Sequence, residues 1–332
     1  MKDFDLEEER IKQVVQKLGT KRVLIQVPEG LKPEAPHIAK MIEKLGVQSI
    51  ISGDPCYGGC DLAIAEAESL GVDLIIHYGH TKLVKYERVP TLYIEARATL
   101  KVDSTVEKAL PLLKKWRKIG LATTVQHVQT LDEVRETLIR AGKTVAIGDT
   151  RRLSYPGQVV GCDYSNVISI AKDVEAFLFI GGGQFHALGV ALSTSKPTIA
   201  ADPFDERAFS VDAEAQKIFK QRWGCIEEAK KAKTFGVLVG MKAMQKRLDE
   251  ALDIKKKLEN GKTAYLLAAK EITPEILMEF PNVDAFVNTA CPRISLDDAS
   301  KFKKPVLTIN EALVIIDKLS WEELCKKGLL ES

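Results

Sequence analysis

Short apolar runs recur along this chain at a regular beat. The first set is Val23-Leu-Ile-Gln-Val27, Ser49-Ile-Ile-Ser52, Leu74-Ile-Ile-His77 and Thr91-Leu-Tyr-Ile94. The rhythm returns in Gly120-Leu-Ala-Thr123, Thr144-Val-Ala-Ile147, Ala176-Phe-Leu-Phe-Ile180 and Thr198-Ile-Ala200. It returns again in Phe235-Gly-Val-Leu-Val239, Ala264-Tyr-Leu-Leu267, Ala285-Phe-Val287 and Val306-Leu-Thr-Ile309. Runs this short and apolar predict strands buried on both faces, as in parallel sheets covered by helices. About 25 residues separate the first and second runs of each set, room for the crossover helix of a βαβ unit. In the third set Met241, Met244, Leu248 and Leu252 fall at three- and four-residue spacing and predict one face of that helix.

The pattern predicts an α/β protein of three similar parallel-sheet units, 1–105, 106–210 and 211–332, with right-handed crossovers. Charged helical stretches, 106–118 and 211–233, lead into the second and third units. No Pro/Gly/Ser linker separates them, so the units are expected to pack against one another.

Composition narrows the function classes. Of 332 residues, 45% are hydrophobic and 28% charged, ordinary for a globular protein. A net charge of +2 supplies no global basic field for nucleic acid. No run approaches the roughly 20 apolar residues needed to cross a bilayer. The acidic N-terminus lacks the apolar core of a secretory signal, so a cytoplasmic location without membrane association is expected. Six cysteines in such a chain point to free thiols or metal ligands, not a disulfide framework.

Three of these cysteines follow predicted strands in different thirds of the chain. They are Cys60 in Asp54-Pro-Cys-Tyr-Gly-Gly-Cys-Asp61, Cys162 in Gly157-Gln-Val-Val-Gly-Cys-Asp163, and Cys291 in Asn288-Thr-Ala-Cys-Pro-Arg293. Loops at the carboxyl ends of parallel strands are where α/β sheets bind ligands. Three such loops converging on one point could hold a soft metal centre, with one coordination position left open. The plainer alternative is that each thiol is a small buried hydrophobe. Cys225 and Cys325, in helical context, are assigned to packing. Cys56 competes with Cys60 for the first position, but no second nearby pair completes a structural zinc site. Widely separated thiols suit an iron–sulfur cluster with one iron lacking a cysteine.

The neighbouring loops add candidates. Gly181-Gly-Gly-Gln-Phe-His-Ala-Leu-Gly189, His77-Tyr-Gly-His80 and Pro28-Glu-Gly30 are turns whose amides could face a charged ligand. His80 and His186 could bind substrate or serve only the loops. Arg293 offers a fork for a carboxylate, against the alternative of a surface ion pair. Asp149, past a strand end, could accept a hydrogen bond from ribose or an amino group, or simply close a turn.

Tyr57-Gly-Gly-Cys60-Asp-Leu62, Gly157-Gln-Val-Val-Gly-Cys162, Gly182-Gly-Gln-Phe-His186 and Asn288-Thr-Ala-Cys291-Pro-Arg-Ile294 resemble the archaeal diphthamide synthases, in order and over essentially the whole chain. The resemblance implies a homodimer whose subunits each set three α/β units in a pseudo-threefold arrangement around a [4Fe–4S] cluster. Carried over, the ligands are Cys60, Cys162 and Cys291, with Cys56 a bystander. It further implies an electron donor and reductive cleavage of S-adenosylmethionine, giving methylthioadenosine and a 3-amino-3-carboxypropyl radical. That radical adds to a histidine of translation elongation factor 2. The CxxxCxxC motif of ordinary radical S-adenosylmethionine enzymes is absent from the chain, as in this family. Arg293, Gln184, His186, His80 and Asp149 are the candidate cosubstrate contacts.

Two other readings compete. A quinolinate-synthase-like dehydratase would also set three cysteines on a [4Fe–4S] cluster in a triplicated α/β fold, with the open iron as a Lewis acid. A non-catalytic scaffold would use the cluster for support or electron relay.

Overall fold

The computed structural model describes residues 3–84, 88–242 and 244–330. Its strands form three sheets. The first contains β1 (Arg22–Gln26), β2 (Gln48–Ile51), β3 (Leu74–Tyr78) and β4 (Thr91–Ile94), in the order β2-β1-β3-β4. The second contains β5 (Lys118–Thr123), β6 (Thr144–Ile147), β7 (Ala176–Ile180), β8 (Thr198–Asp202) and β9 (Arg207–Ser210), in the order β6-β5-β7-β8-β9. The third contains β10 (Thr234–Gly240), β11 (Thr263–Ala269), β12 (Ala285–Asn288) and β13 (Val306–Leu307), in the order β11-β10-β12-β13. Each sheet thus places its first strand between its second and third. All pairings are parallel except β8 with β9.

The repeat extends to single hydrogen bonds. Asp73 Oδ2, just before β3, accepts the backbone N–H groups of Lys21 and Arg22 at the start of β1, both at 2.9 Å. Glu175 Oε2, just before β7, does the same for Arg117 and Lys118 at 2.7 and 2.8 Å. Asp284 Oδ2, just before β12, accepts from Lys233 and Thr234, both at 2.9 Å. The signal lies in the triplets Val72-Asp-Leu74, Val174-Glu-Ala176 and Val283-Asp-Ala285, whose valines are all buried. The carboxylate caps amides that would otherwise be unpaired where the central strand enters its sheet.

Core packing ties the second and third sheets together. One cluster runs from Ala122 and Phe179 through the helix Asp212–Ala229 to Phe235, Val287 and Leu330. Within that helix Arg222 is 1% exposed. Its Nε and Nη2 meet the two Glu311 oxygens at 2.8 and 2.6 Å, and Nη1 and Nη2 donate to the Ser295 and Val306 carbonyls.

Several expectations are corrected. The helix of the third unit spans Leu248–Leu258, not the segment from 241, within which Ala243 lies outside the described residues. Met241, Met244, Leu248 and Leu252 are exposed, and Ala251, Ile254 and Leu258 are buried instead. The acidic Asp249 and Glu250 at its start and Lys255–Lys257 at its end suit the helix dipole better than a start at Met241. The stretch 106–118 is helical only within Asp103–Ala109, and Lys118 already belongs to β5. β9 is an additional antiparallel edge. The last run ends at Leu307 because the Thr308 side chain, in a capping box with Glu311, starts the helix Ile309–Ile315.

Candidate metal centre

The carboxyl ends of all the parallel strands except β13 open onto one cavity of about 770 Å³. Its wall includes Cys60 from the loop after β2, Cys162 from the loop after β6, and Cys291 directly after β12. The two former loops occupy equivalent places in their sheets and the third does not. After β11 the equivalent place is held by Lys270 and Glu271.

Each loop is tied down by side-chain hydrogen bonds or ion pairs. Asn288 Nδ2 donates to the Cys291 carbonyl (2.7 Å) and Ser295 Oγ (3.2 Å), while its Oδ1 accepts from Ala290 N (3.0 Å). Gln158, fully buried, accepts from Ser154 N and Tyr155 N and donates across to Thr81 Oγ1 at 3.1 Å. Beside Cys60, Asp61 Oδ2 lies 2.9 Å from Lys242 Nζ, which also meets Glu271 Oε1 at 2.8 Å and stands over the Tyr57 ring. A Cβ on Gly59 would come within 2.6 Å of the Thr81 carbonyl, so the thiol loop approaches its neighbour as closely as backbone permits.

The electrostatics favour a cationic occupant. Burial pushes the Cys162 thiol up to about 12, and negative charge on Cys60 and Cys291 pushes in the same direction. Burial also raises Cys60, opposed by a hydrogen bond from Gln245, and raises Cys291, opposed by the backbone amide of Arg293. Three thiolates sharing this wall need metal to offset their mutual repulsion. A single ion bound at about 2.3 Å would draw its sulfurs to within roughly 4.6 Å of one another. Among the described residues, three ligand atoms that close occur only for Cys56, His77 and His80. Three thiols brought from separate loops to one cavity wall are a donor set that fits a multi-iron cluster.

Cys56 is buried apart from the cavity wall, with its thiol pushed up to about 12 by burial and by Asp61 and Glu29. Cys225 sits in the helix Asp212–Ala229 and Cys325 in Trp321–Lys327.

Of the remaining candidates, His80, His186 and Arg293 line the cavity. His186 is edge-on to Phe185 and stacked on Phe179, and burial followed by Arg293 holds it down at about 3. Arg293 is not the surface ion pair that its sequence context also allowed. It is 6% exposed, with its guanidinium 3.8 Å from the Phe185 ring centre. Nε forms an ion pair with Asp297 at 2.5 Å, Nη2 donates to the Phe185 carbonyl at 3.1 Å, and Nη1 is buried with no partner among the described residues. That orphaned donor suits an anionic ligand group. Gln184 and Asp149 are exposed and do not line the cavity. Gln184 precedes the helix Phe185–Thr194, whose first turn turns Phe185 and His186 inward in its place.

Sequence reasoning missed Gln245, Lys242 and His127. Gln245 Nε2 lies 3.7 Å from Cys60 Sγ, and His127 is buried with neither ring nitrogen paired among the described residues. Their only sequence signal was a polar residue soon after a strand.

Three α/β sheets whose loops gather three thiols on one cavity give the class of fold and donor set that suits a metal centre. The chain matches the family described as "Putative diphthamide synthesis protein" over residues 27–325, and it belongs to that family. It is 40% identical to the 2-(3-amino-3-carboxypropyl)histidine synthase of Pyrococcus horikoshii, over 91% of this chain and 87% of that one. It is 32% identical to subunit 1 of the corresponding synthase of Caenorhabditis elegans, over 91% and 77%. The crystal structure of Dph2 from Pyrococcus horikoshii with a 4Fe–4S cluster superposes with a TM-score of 0.88 at 37% identity, covering 98% of this chain and 94% of that one.

Proposed function

We propose that this chain is a 2-(3-amino-3-carboxypropyl)histidine synthase, acting in the first step of diphthamide biosynthesis. The observation that carries the reading is the meeting of Cys60, Cys162 and Cys291, from three sheets, on one cavity in a member of this family. These residues would hold a [4Fe–4S] cluster, leaving one iron without a protein thiol. When bound, such a cluster supplies the electron for reductive cleavage of S-adenosylmethionine to methylthioadenosine and a 3-amino-3-carboxypropyl radical.

The chain's own residues would bind and aim the cosubstrate. A cavity of about 770 Å³ has the size of a small-molecule site. Arg293 Nη1 is positioned for the carboxylate of the methionine moiety, and neutral His80 and His186 contribute polar contacts without adding charge. Orientation decides which carbon–sulfur bond faces the electron source, so loops anchored by Asn288, Gln158 and Lys242 govern the product. Gln184 and Asp149 have no part in this assignment.

The acceptor is a histidine of translation elongation factor 2. The chain works as a homodimer of three-unit subunits (1–105, 106–210 and 211–332, set pseudo-threefold around the centre), with a separate electron donor, in the cytoplasm. No described helix is long and apolar enough to cross a membrane.

The test is oxygen-free purification with iron and sulfide analysis, then addition of dithionite and S-adenosylmethionine with chromatography of the products. About four irons per chain with methylthioadenosine supports the reading, and labelling of the elongation factor completes it. Iron without methylthioadenosine would favour a dehydratase or a scaffold. No iron at all would defeat the proposal.

A further inference from the structure

We propose that Gln26 and His77 are positioning residues that lock His80 in one neutral tautomer. Its Nε2 then stands in the cavity as a fixed hydrogen-bond acceptor for an ammonium or N–H group of the ligand.

The argument starts from backbone groups whose roles cannot be exchanged. Gln26, on β1, donates from Nε2 to the Asp61 carbonyl at 2.7 Å and accepts at Oε1 from the Ala63 N–H at 3.2 Å. Turning the amide over would set N–H against N–H and oxygen against oxygen, so its orientation is determined. The same Oε1 faces His77 Nδ1 at 2.8 Å, which obliges that nitrogen to carry a proton. His77 is wholly buried, and burial holds it down at about 3, so the ring is neutral and its Nε2 is bare. His77 Nε2 faces His80 Nδ1 at 3.1 Å, and a bare nitrogen there requires a proton on His80 Nδ1. Burial keeps His80 neutral as well, against the opposing pull of Glu29 and the Tyr78 carbonyl. The only nitrogen lone pair left in the series is His80 Nε2, on a residue that lines the cavity where His77 does not.

This arrangement relays a backbone constraint beside Cys60 through two side chains to a ligand-facing atom. A fixed acceptor discriminates for a donor, because a ligand without one would leave the lone pair unpaired in a desolvated site. Cys56 is the competing occupant of the same ground, since its Sγ could join the two imidazoles around an ion. Such an ion would take a lone pair of His80 and remove the fixed acceptor.

Histidine tautomers are read directly by long-range ¹⁵N–¹H correlation. The chain has five histidines, so ¹⁵N-histidine labelling of the cluster-loaded, unreduced protein gives a resolvable spectrum. The expected result near neutral pH is Nδ1–H on both His77 and His80. Gln26→Leu is expected to mix the His80 tautomers. A proton on His80 Nε2 in the unmodified protein would overturn the proposal, as would a Gln26→Leu protein with an unchanged His80 signal. The wild-type spectrum decides the matter even where Gln26→Leu fails to fold.

Two ligand arms identify the donor. Titration with S-adenosylmethionine tests the cosubstrate ammonium, and titration with imidazole tests the N–H of the acceptor ring. A shift of the His80 Nε2 resonance with either supports the acceptor role, and no shift with both removes it. The ligand identity rests on the proposed function, but the tautomer does not. Absence of methylthioadenosine alongside the expected tautomers would defeat that function and leave the relay standing.

Discussion

Gln245 reaches from the loop after β10 to Cys60 in the loop after β2, bringing its Nε2 to 3.7 Å from Sγ. The amide comes from the third sheet and the thiol from the first, so no local pattern relates them. A donor to a ligating sulfur favours the more negative, reduced state of an iron–sulfur centre. Gln245→Leu is therefore expected to lower the reduction potential of the bound cluster while leaving its iron content unchanged. A redox titration followed by electron paramagnetic resonance reads the shift. An unmoved potential would mean that the contact is not made in the loaded protein.

The cavity separates the cysteines into two groups. Alanine at Cys60, Cys162 or Cys291 is expected to cost most of the roughly four irons per chain that a [4Fe–4S] cluster carries. Alanine at Cys56, which lies off the cavity wall, is expected to retain them. Iron and sulfide analysis of anaerobically purified variants checks both outcomes. Iron lost equally from the Cys56 variant would overturn the assignment.

Arg222 and Glu311 are both about 1% exposed on their side chains and joined by two contacts. Removing one partner leaves the other charge buried, at a cost of roughly 3–5 kcal/mol. Arg222→Met should lower the urea midpoint by that equivalent. The double variant Arg222→Met/Glu311→Leu should recover most of the loss, because no unpaired charge remains. The pair also grips the Ser295 carbonyl in the helix that follows Cys291, so the single variant is expected to loosen iron as well.

The three carboxylates that clasp strand starts give a signed dependence on pH. Backbone N–H donors hold Asp73, Glu175 and Asp284 below their ordinary values. A depressed folded value means that the stabilisation is complete above the unfolded-state value and disappears as pH falls through the folded one. Stability should therefore decline below about pH 4, the unfolded range of these groups. Asp73→Asn or Asp284→Asn should flatten that decline while destabilising the protein at neutral pH. Thermal unfolding between pH 3 and pH 7, roughly the span on either side of those unfolded values, measures it. Their exposure keeps each contribution small.

The strands were legible because burial on both faces leaves a run with little choice of residue. Every expected run is present, although ends moved by a residue or more where a cap such as Thr308 intervened. The short β9 lacked such a run: it is an edge strand, and Arg207 and Ser210 are exposed. The helix after β10 was misplaced because three- and four-residue spacing also describes the exposed Met241, Met244, Leu248 and Leu252. Periodicity reports a stripe and not whether that stripe is covered.

The sequence by itself determined the α/β class, the triple rhythm and the three loops with thiols, since strand burial and post-strand glycines are written locally. It also contained the Val-Asp/Glu repeat that clasps each central strand. Only the tertiary structure decided that Gln245 meets Cys60, that Arg293 is buried against Phe185, and that Gln184 and Asp149 are exposed and off the cavity wall. The tautomer of His80 belongs with these, because it depends on Gln26 and on backbone groups at Asp61 and Ala63. Contacts between sheets join residues far apart in the chain, and their geometry is set by how the three sheets pack, which no single segment encodes.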